Sequence, residues 1–97
     1  MSKRIPKSQS KHDKTVRRVA GGYKSQGWKV KADISGYPSP RTIYNRQPDV
    51  IATKGRKTRI VEVETRSSYK KDEPQRRTFK RWASQDPKRK FRTRITK

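Results

Sequence analysis

The sequence has no cysteine and no leucine, and only eight of its 97 residues are acidic. Without Cys there is no disulfide frame and no thiolate zinc site. The missing Leu leaves Val, Ile and Phe, fourteen residues in all, to build a core, and only 26% of the chain is hydrophobic. No apolar run approaches the ~18 residues of a membrane span, and no basic amphipathic helix suits a membrane surface. Residues 1–10 have no apolar h-region, so no signal peptide is expected and a cytoplasmic protein is. What the sequence does have is positive charge: 29 Lys and Arg, for a net +21. Low hydrophobicity with high net charge is the composition of a disordered chain, so any core is thin. A chain that repels itself this strongly calls for a polyanionic partner, and nucleic acid fits best.

The length allows one small domain. "MSKRIPKSQSK" reads as a flexible basic arm over residues 1–11, and the domain as residues 12–97. Ser10 and Asp13 have a capping-box spacing. Val16, Val19, Ala20 and Tyr23 then make one helix face, predicting a helix from His12 to Ser25, stopped by Gly27. Trp28, Val30, Ala32 and Ile34 alternate with polar residues as in a half-buried strand. "SGYPSPRTIYNRQP" is a loop by its Gly, Ser and Pro content. Two strands follow, Asp49 to Thr53 and Thr58 to Thr65, joined at "KGRK". "SSYKKDEP" signals a turn and a helix start near Asp72, with Pro74 in the first turn. Gln75, Phe79, Trp82 and Ala83 form a helical stripe, Asp86-Pro87 ends it, and Phe91, Thr93 and Ile95 mark a last strand. The expected fold is a single αβββαβ domain with a mixed, mostly antiparallel sheet flanked by two helices.

The most apolar stretch, "RQPDVIATKGRKTRIVEVET", holds three of the eight acids. A two-residue turn at Gly55-Arg56 pairs Lys54 with Lys57 and therefore Asp49 with Glu62. Ile51 then faces Ile60, and Glu64 shares the face of Glu62. Val50, Ala52, Val61 and Val63 form the opposite, core face. Like charges opposed across a sheet are destabilising, so something positive must compensate. A magnesium or manganese ion would do so with these hard oxygen ligands. Lys and Arg side chains would do so too, and are abundant. Both readings stand on the residues alone.

"PDVIA…IVEVE" resembles the motif of the PD-(D/E)xK nucleases, a restriction-endonuclease-like superfamily, and is nearest in character to the archaeal Holliday-junction resolvases. The family core order, αβββαβ, is the order read above. The resemblance spans roughly residues 12 to 96. It puts the family's Asp at Asp49 and its second acid at Glu62, and makes Asp13 the candidate for the further acid on the first helix. Gln75 and Phe79 are similar to a Gln-x-x-x-Tyr element of some members. One position departs: the family's Lys, two after the second acid, is Glu64, an arrangement found in a minority of restriction endonucleases. The resemblance implies metal-assisted phosphodiester hydrolysis, with Asp49, Glu62 and the Val63 carbonyl holding magnesium or manganese and Glu64 in the catalytic set. It also implies a homodimer. Lys29, Lys31 or Lys70 could restore the missing positive charge in space.

Elsewhere His12, the one His, reads as a solvated first-turn residue. Trp28 and Trp82 read as core. Tyr37 and Tyr44 could stack on bases or cover a sheet edge. The candidate phosphate contacts are Lys3, Arg4, Lys29, Lys31, Arg41, Arg46, Lys70, Arg77, Arg81, Arg92 and Arg94, the last two forming a stripe on one strand. Two functions follow. One is a nucleic-acid-binding, metal-dependent endonuclease. The other is a non-catalytic binder, such as a small archaeal ribosomal or nucleoprotein component.

Overall fold

The computed structural model describes residues 7–96. The elements are α1 (Lys7–Ser25), β1 (Lys29–Ala32), β2 (Val50–Lys54), β3 (Lys57–Glu64), α2 (Arg66–Lys71), α3 (Glu73–Ser84) and β4 (Arg89–Ile95). The four strands form one sheet in the order β1-β2-β3-β4. β1 to β3 pair antiparallel, and β4 runs parallel to β3 after the helical crossover. The expected mixed, mostly antiparallel α/β domain is the one observed.

The hairpin has the register expected from its turn. Lys54 pairs with Lys57, Ile51 with Ile60 and Val50 with Val61. Gly55 has φ +60°, which suits a glycine at the first central position of a two-residue loop. On one sheet face Val50, Val61 and Val63 join Ala32 and pack against Val16 and Ala20 of α1. The opposite face is buried too. There Ile51 and Ile60 meet Phe79 and Trp82 of α3, with Ile43 from the long loop. The sheet is thus a middle layer with two thin cores. Phe79 and Ile60 are fully buried and contribute about 1.5–3 kcal/mol each by leaving water.

Three local expectations are corrected. The first helix starts at Lys7, not His12, so residues 7–11 belong to it and not to an arm. Nothing between Lys7 and Ser10 breaks a helix, and the Ser10–Asp13 pair lies inside it. Lys3 and Arg4 fall outside the described residues. Second, "SSYKK" is itself a short helix, α2, before α3. Thr65 caps it: its hydroxyl accepts the Ser68 N–H at 3.0 Å, while Ser68 Oγ accepts the Thr65 N–H at 2.9 Å. Third, Trp28 is only half-buried. It lies edge-on to Tyr23 (5.4 Å between ring centres), and the Arg59 guanidinium sits 5.3 Å from its ring centre. Trp82 is core, as expected. Gly27, with φ +89°, follows the end of α1, where its N–H bonds the Lys24 carbonyl. Among the described residues no helix is long and apolar enough to cross a membrane.

Candidate active site: a carboxylate pocket with one histidine

Asp49 immediately precedes β2, and Glu62 and Glu64 lie at the end of β3. The observed register continues to put Asp49 opposite Glu62. The paired ladder itself ends at Val50–Val61, and Pro48, beyond Asp49, has no N–H to extend it. Val63 instead donates its N–H to Asp49 Oδ2 at 2.8 Å. The Glu64 carbonyl accepts from Thr96 on the β4 side. By strand alternation the Val63 carbonyl therefore points to the β2 side, where Asp49 lies.

The three carboxylates line one open cavity of about 320 Å³, together with His12, Ser68, Asp72 and Gln75. Glu62 and Glu64 are each only 2% exposed. Gln75, from α3, donates to Glu62 Oε1 at 2.7 Å, and Ser68, from α2, donates to Glu64 Oε2 at 2.6 Å. The capping pair that starts α2 thus also fixes the hydroxyl that holds Glu64. Among the described residues no Lys or Arg lines this cavity, and none forms an ion pair with Asp49, Glu62 or Glu64. Lys29 and Lys31 are exposed on β1, and Lys70 is exposed on α2. None of the three lines the cavity.

The cation that does reach it is His12. Its Nε2 lies 3.4 Å from Asp49 Oδ2 and its Nδ1 3.4 Å from Asp13 Oδ1. The hydrogen bond to Asp49 raises the His12 pKa to about 9, against the opposing effect of burial. The reading of His12 as a solvated first-turn residue is therefore overturned: it is half-buried on the second turn of α1. Asp13 contacts His12 and does not line the cavity. Nothing in the spacing of α1 relative to Asp49 signals this meeting, because packing of the helix on the sheet brings the two together.

Burial disfavours charge on Asp49. Hydrogen bonds with His12 and Glu62 and from the Val63 N–H outweigh it and hold the carboxyl below its ordinary range. Glu62 goes the other way. Burial first, then the hydrogen bond to Asp49 and the nearby charge, push it up to about 10, with Gln75 opposing. Burial also raises Glu64; the Ser68 hydrogen bond opposes this and Asp72 adds to it. Burial and mutual proximity thus push the two carboxyls apart, favouring charge on Asp49 and the neutral form of Glu62.

Among the described residues, no group of three or more His, Cys, Asp or Glu side chains is arranged to hold a metal ion. The donor chemistry nonetheless suits a hard cation. Burial and the neighbouring Asp49 disfavour charge on Glu62, a cost that a divalent ion would relieve, and the Val63 carbonyl faces the same side. Of the remaining candidate contacts, Arg46, Arg77 and Arg81 line one pocket together with Tyr44. Lys29 and Lys31 lie on one edge strand, Arg92 and Arg94 on the other, Arg41 and Arg46 in the loop, and Arg77 and Arg81 on α3. No family model matches the chain, and no curated protein matches it.

Proposed function

We propose that the chain is a cytoplasmic nucleic-acid-binding protein whose carboxylate pocket hydrolyses phosphodiester bonds with magnesium or manganese. One observation carries this reading. A chain with 29 Lys and Arg gathers four carboxylates, Asp49, Glu62, Glu64 and Asp72, in one open cavity, and among the described residues no Lys or Arg lines it. If the acids were merely neutralised surface groups, a basic side chain would be the easy partner. Here burial favours the neutral form of one carboxyl instead.

In this reading Asp49, Glu62 and the Val63 carbonyl hold the ion. A bound magnesium or manganese would polarise the phosphate and lower the pKa of its water. Gln75 keeps Glu62 in place by its hydrogen bond. Glu64, held by Ser68, is the group placed to accept a proton from the attacking water. His12 supplies positive charge beside Asp49.

The test is a cleavage assay on linear and branched DNA and on RNA, with magnesium, manganese or EDTA. Wild type should cut with metal and stop in EDTA. Asp49→Asn should stop cutting while still binding, since Asn can accept the Val63 N–H. The Lys position filled by Glu64 favours a second reading, a non-catalytic binder on the same fold. Glu64→Lys separates the two: if wild type and Glu64→Lys are both inert on every substrate with either metal, the hydrolytic reading fails and the binder remains.

A further inference from the structure

α1 packs over β1, β2 and β3, and the face of β4 beyond it stays open. The parallel register puts Arg92 beside Val61 and Arg94 beside Val63, so both arginines share the sheet face of α1. Between them and the second half of α1 lies a groove of about 540 Å³, lined by Arg18, Gly22, Tyr23, Gln26, Arg92 and Arg94, among others. It is on the opposite face of the sheet from Glu62 and Glu64.

Three features point to an anionic ligand. No Asp or Glu lines the groove. The side chains of Arg18, Arg92 and Arg94 are exposed and make no hydrogen bond, ion pair or ring contact among the described residues. Alternate residues on a parallel strand stand about 6.6 Å apart, so Lys90, Arg92 and Arg94 form an evenly spaced cationic row. Gly22 is an independent sign. It sits inside α1, where Gly weakens a helix, yet a Cβ built on it meets nothing within 4 Å. Packing within the protein does not require it. A glycine on a groove wall permits close approach of a ligand, and half-buried Tyr23 on the same wall offers a ring on which a base can stack.

We infer that the groove between α1 and β4 binds the backbone of a single nucleic-acid strand, with Arg18, Arg92 and Arg94 on its phosphates. This rests on reading the partner as nucleic acid and is independent of cleavage.

The test is salt-dependent binding of an oligothymidylate of about 16 nucleotides. Wild type is compared with Arg18→Ala/Arg92→Ala/Arg94→Ala, and with Lys57→Ala/Lys71→Ala/Lys80→Ala, which removes the same charge from β3, α2 and α3. All six side chains are exposed, so neither variant disturbs a core. Each phosphate contact to a single strand contributes about 0.7 to the slope of log K against log salt, so the groove variant should lose about 2 from its slope. The control variant should keep the wild-type slope. Equal slopes for the two variants would overturn the groove. So would an oligoglutamate of matched charge that binds as tightly and depends on the same three arginines. Asp49→Asn should bind with the wild-type slope, so failure of the hydrolytic reading and failure of the groove register separately.

Discussion

Replacing Glu62 by Gln should stabilise the metal-free protein above about pH 6 and abolish its response to magnesium. In the wild type, Glu62 Oε1 accepts from Gln75, and burial beside Asp49 favours the protonated carboxyl. Gln suits both neighbours: its oxygen accepts from Gln75, and its amide N–H donates to Asp49. It does so without a titrating proton. The Glu62 pKa in the fold is about 10, against 4.5 for the free side chain. Between those values the folded chain holds a proton that the unfolded chain has released. The stabilising contribution is whole below the lower value and is lost progressively as pH rises towards the higher one. The loss is on the order of 1 kcal/mol per pH unit, or a few kcal/mol between about pH 6 and about pH 8. That is a large fraction of the roughly 5–15 kcal/mol that holds a small domain together. His12, raised from 6.5 to about 9, adds a loss of the same sign between those values. It does so in both proteins, so the difference between them isolates Glu62.

The assay is urea unfolding across this pH range in EDTA, repeated with magnesium. Wild type should lose stability steeply with pH in EDTA and regain it with magnesium, which takes the place of the Glu62 proton and so acts more strongly as pH rises. Glu62→Gln should show the shallower slope left by His12 and no gain from magnesium. Parallel curves for the two proteins, or wild-type stability that rises from about pH 6 to about pH 8, would refute the account of a protonated Glu62. A wild type indifferent to both magnesium and manganese would remove the metal site with it.

Gly22→Ala should stabilise the fold by up to about 1 kcal/mol, because the new methyl meets open space, while weakening binding to single-stranded oligonucleotides; unchanged affinity would mean that nothing approaches that wall. Phe79→Ala should cost about 3–5 kcal/mol by opening a cavity in the α3-side core, and a loss under 1 kcal/mol in urea unfolding would contradict the packing described. Overall binding should be strongly salt-dependent. With six to ten phosphate contacts, affinity falls by about 10³ to 10⁵ between 50 and 200 mM salt, and a flat titration would exclude phosphates as the main contacts.

The hairpin was legible from the sequence because its determinants are local. Gly55 sets the turn, the period of two sets the faces, and together they oppose Asp49 and Glu62 before any tertiary contact is considered. Gln75 was legible as part of a helical stripe and through the resemblance. His12 was not, because its meeting with Asp49 depends on how α1 crosses the sheet, and no spacing rule carries that information. The start of α1 was misplaced because a plausible capping pair, Ser10 and Asp13, lies within a longer stretch of residues compatible with a helix. α2 was missed because its cap uses Ser68 where the usual pattern has Glu or Gln. The second core was under-read because Ile51 and Ile60 share their face with three acids, and that face is apolar only in its middle.

Position 64 joins these observations. A buried carboxylate there should be costly beside Asp49, Glu62 and Asp72, and its raised pKa records that cost. The surrounding chain offsets it locally. Ser68 donates to Glu64, and Ser68 is itself held by Thr65 in the cap that starts α2. Glu64 is therefore tied into the first turn of α2. Positive charge is also present at the pocket, but it comes from His12 on α1 and sits beside Asp49 at the start of β2. Placing Lys at 64 would leave two cations around the carboxylates and Ser68 without its acceptor. Glu64→Lys should consequently be examined both with His12 present and in a His12→Ala background. If the cation's place on β3 is what matters, Glu64→Lys should change cleavage alike in both backgrounds. If His12 already supplies the charge, the Lys should help only where His12 has been removed.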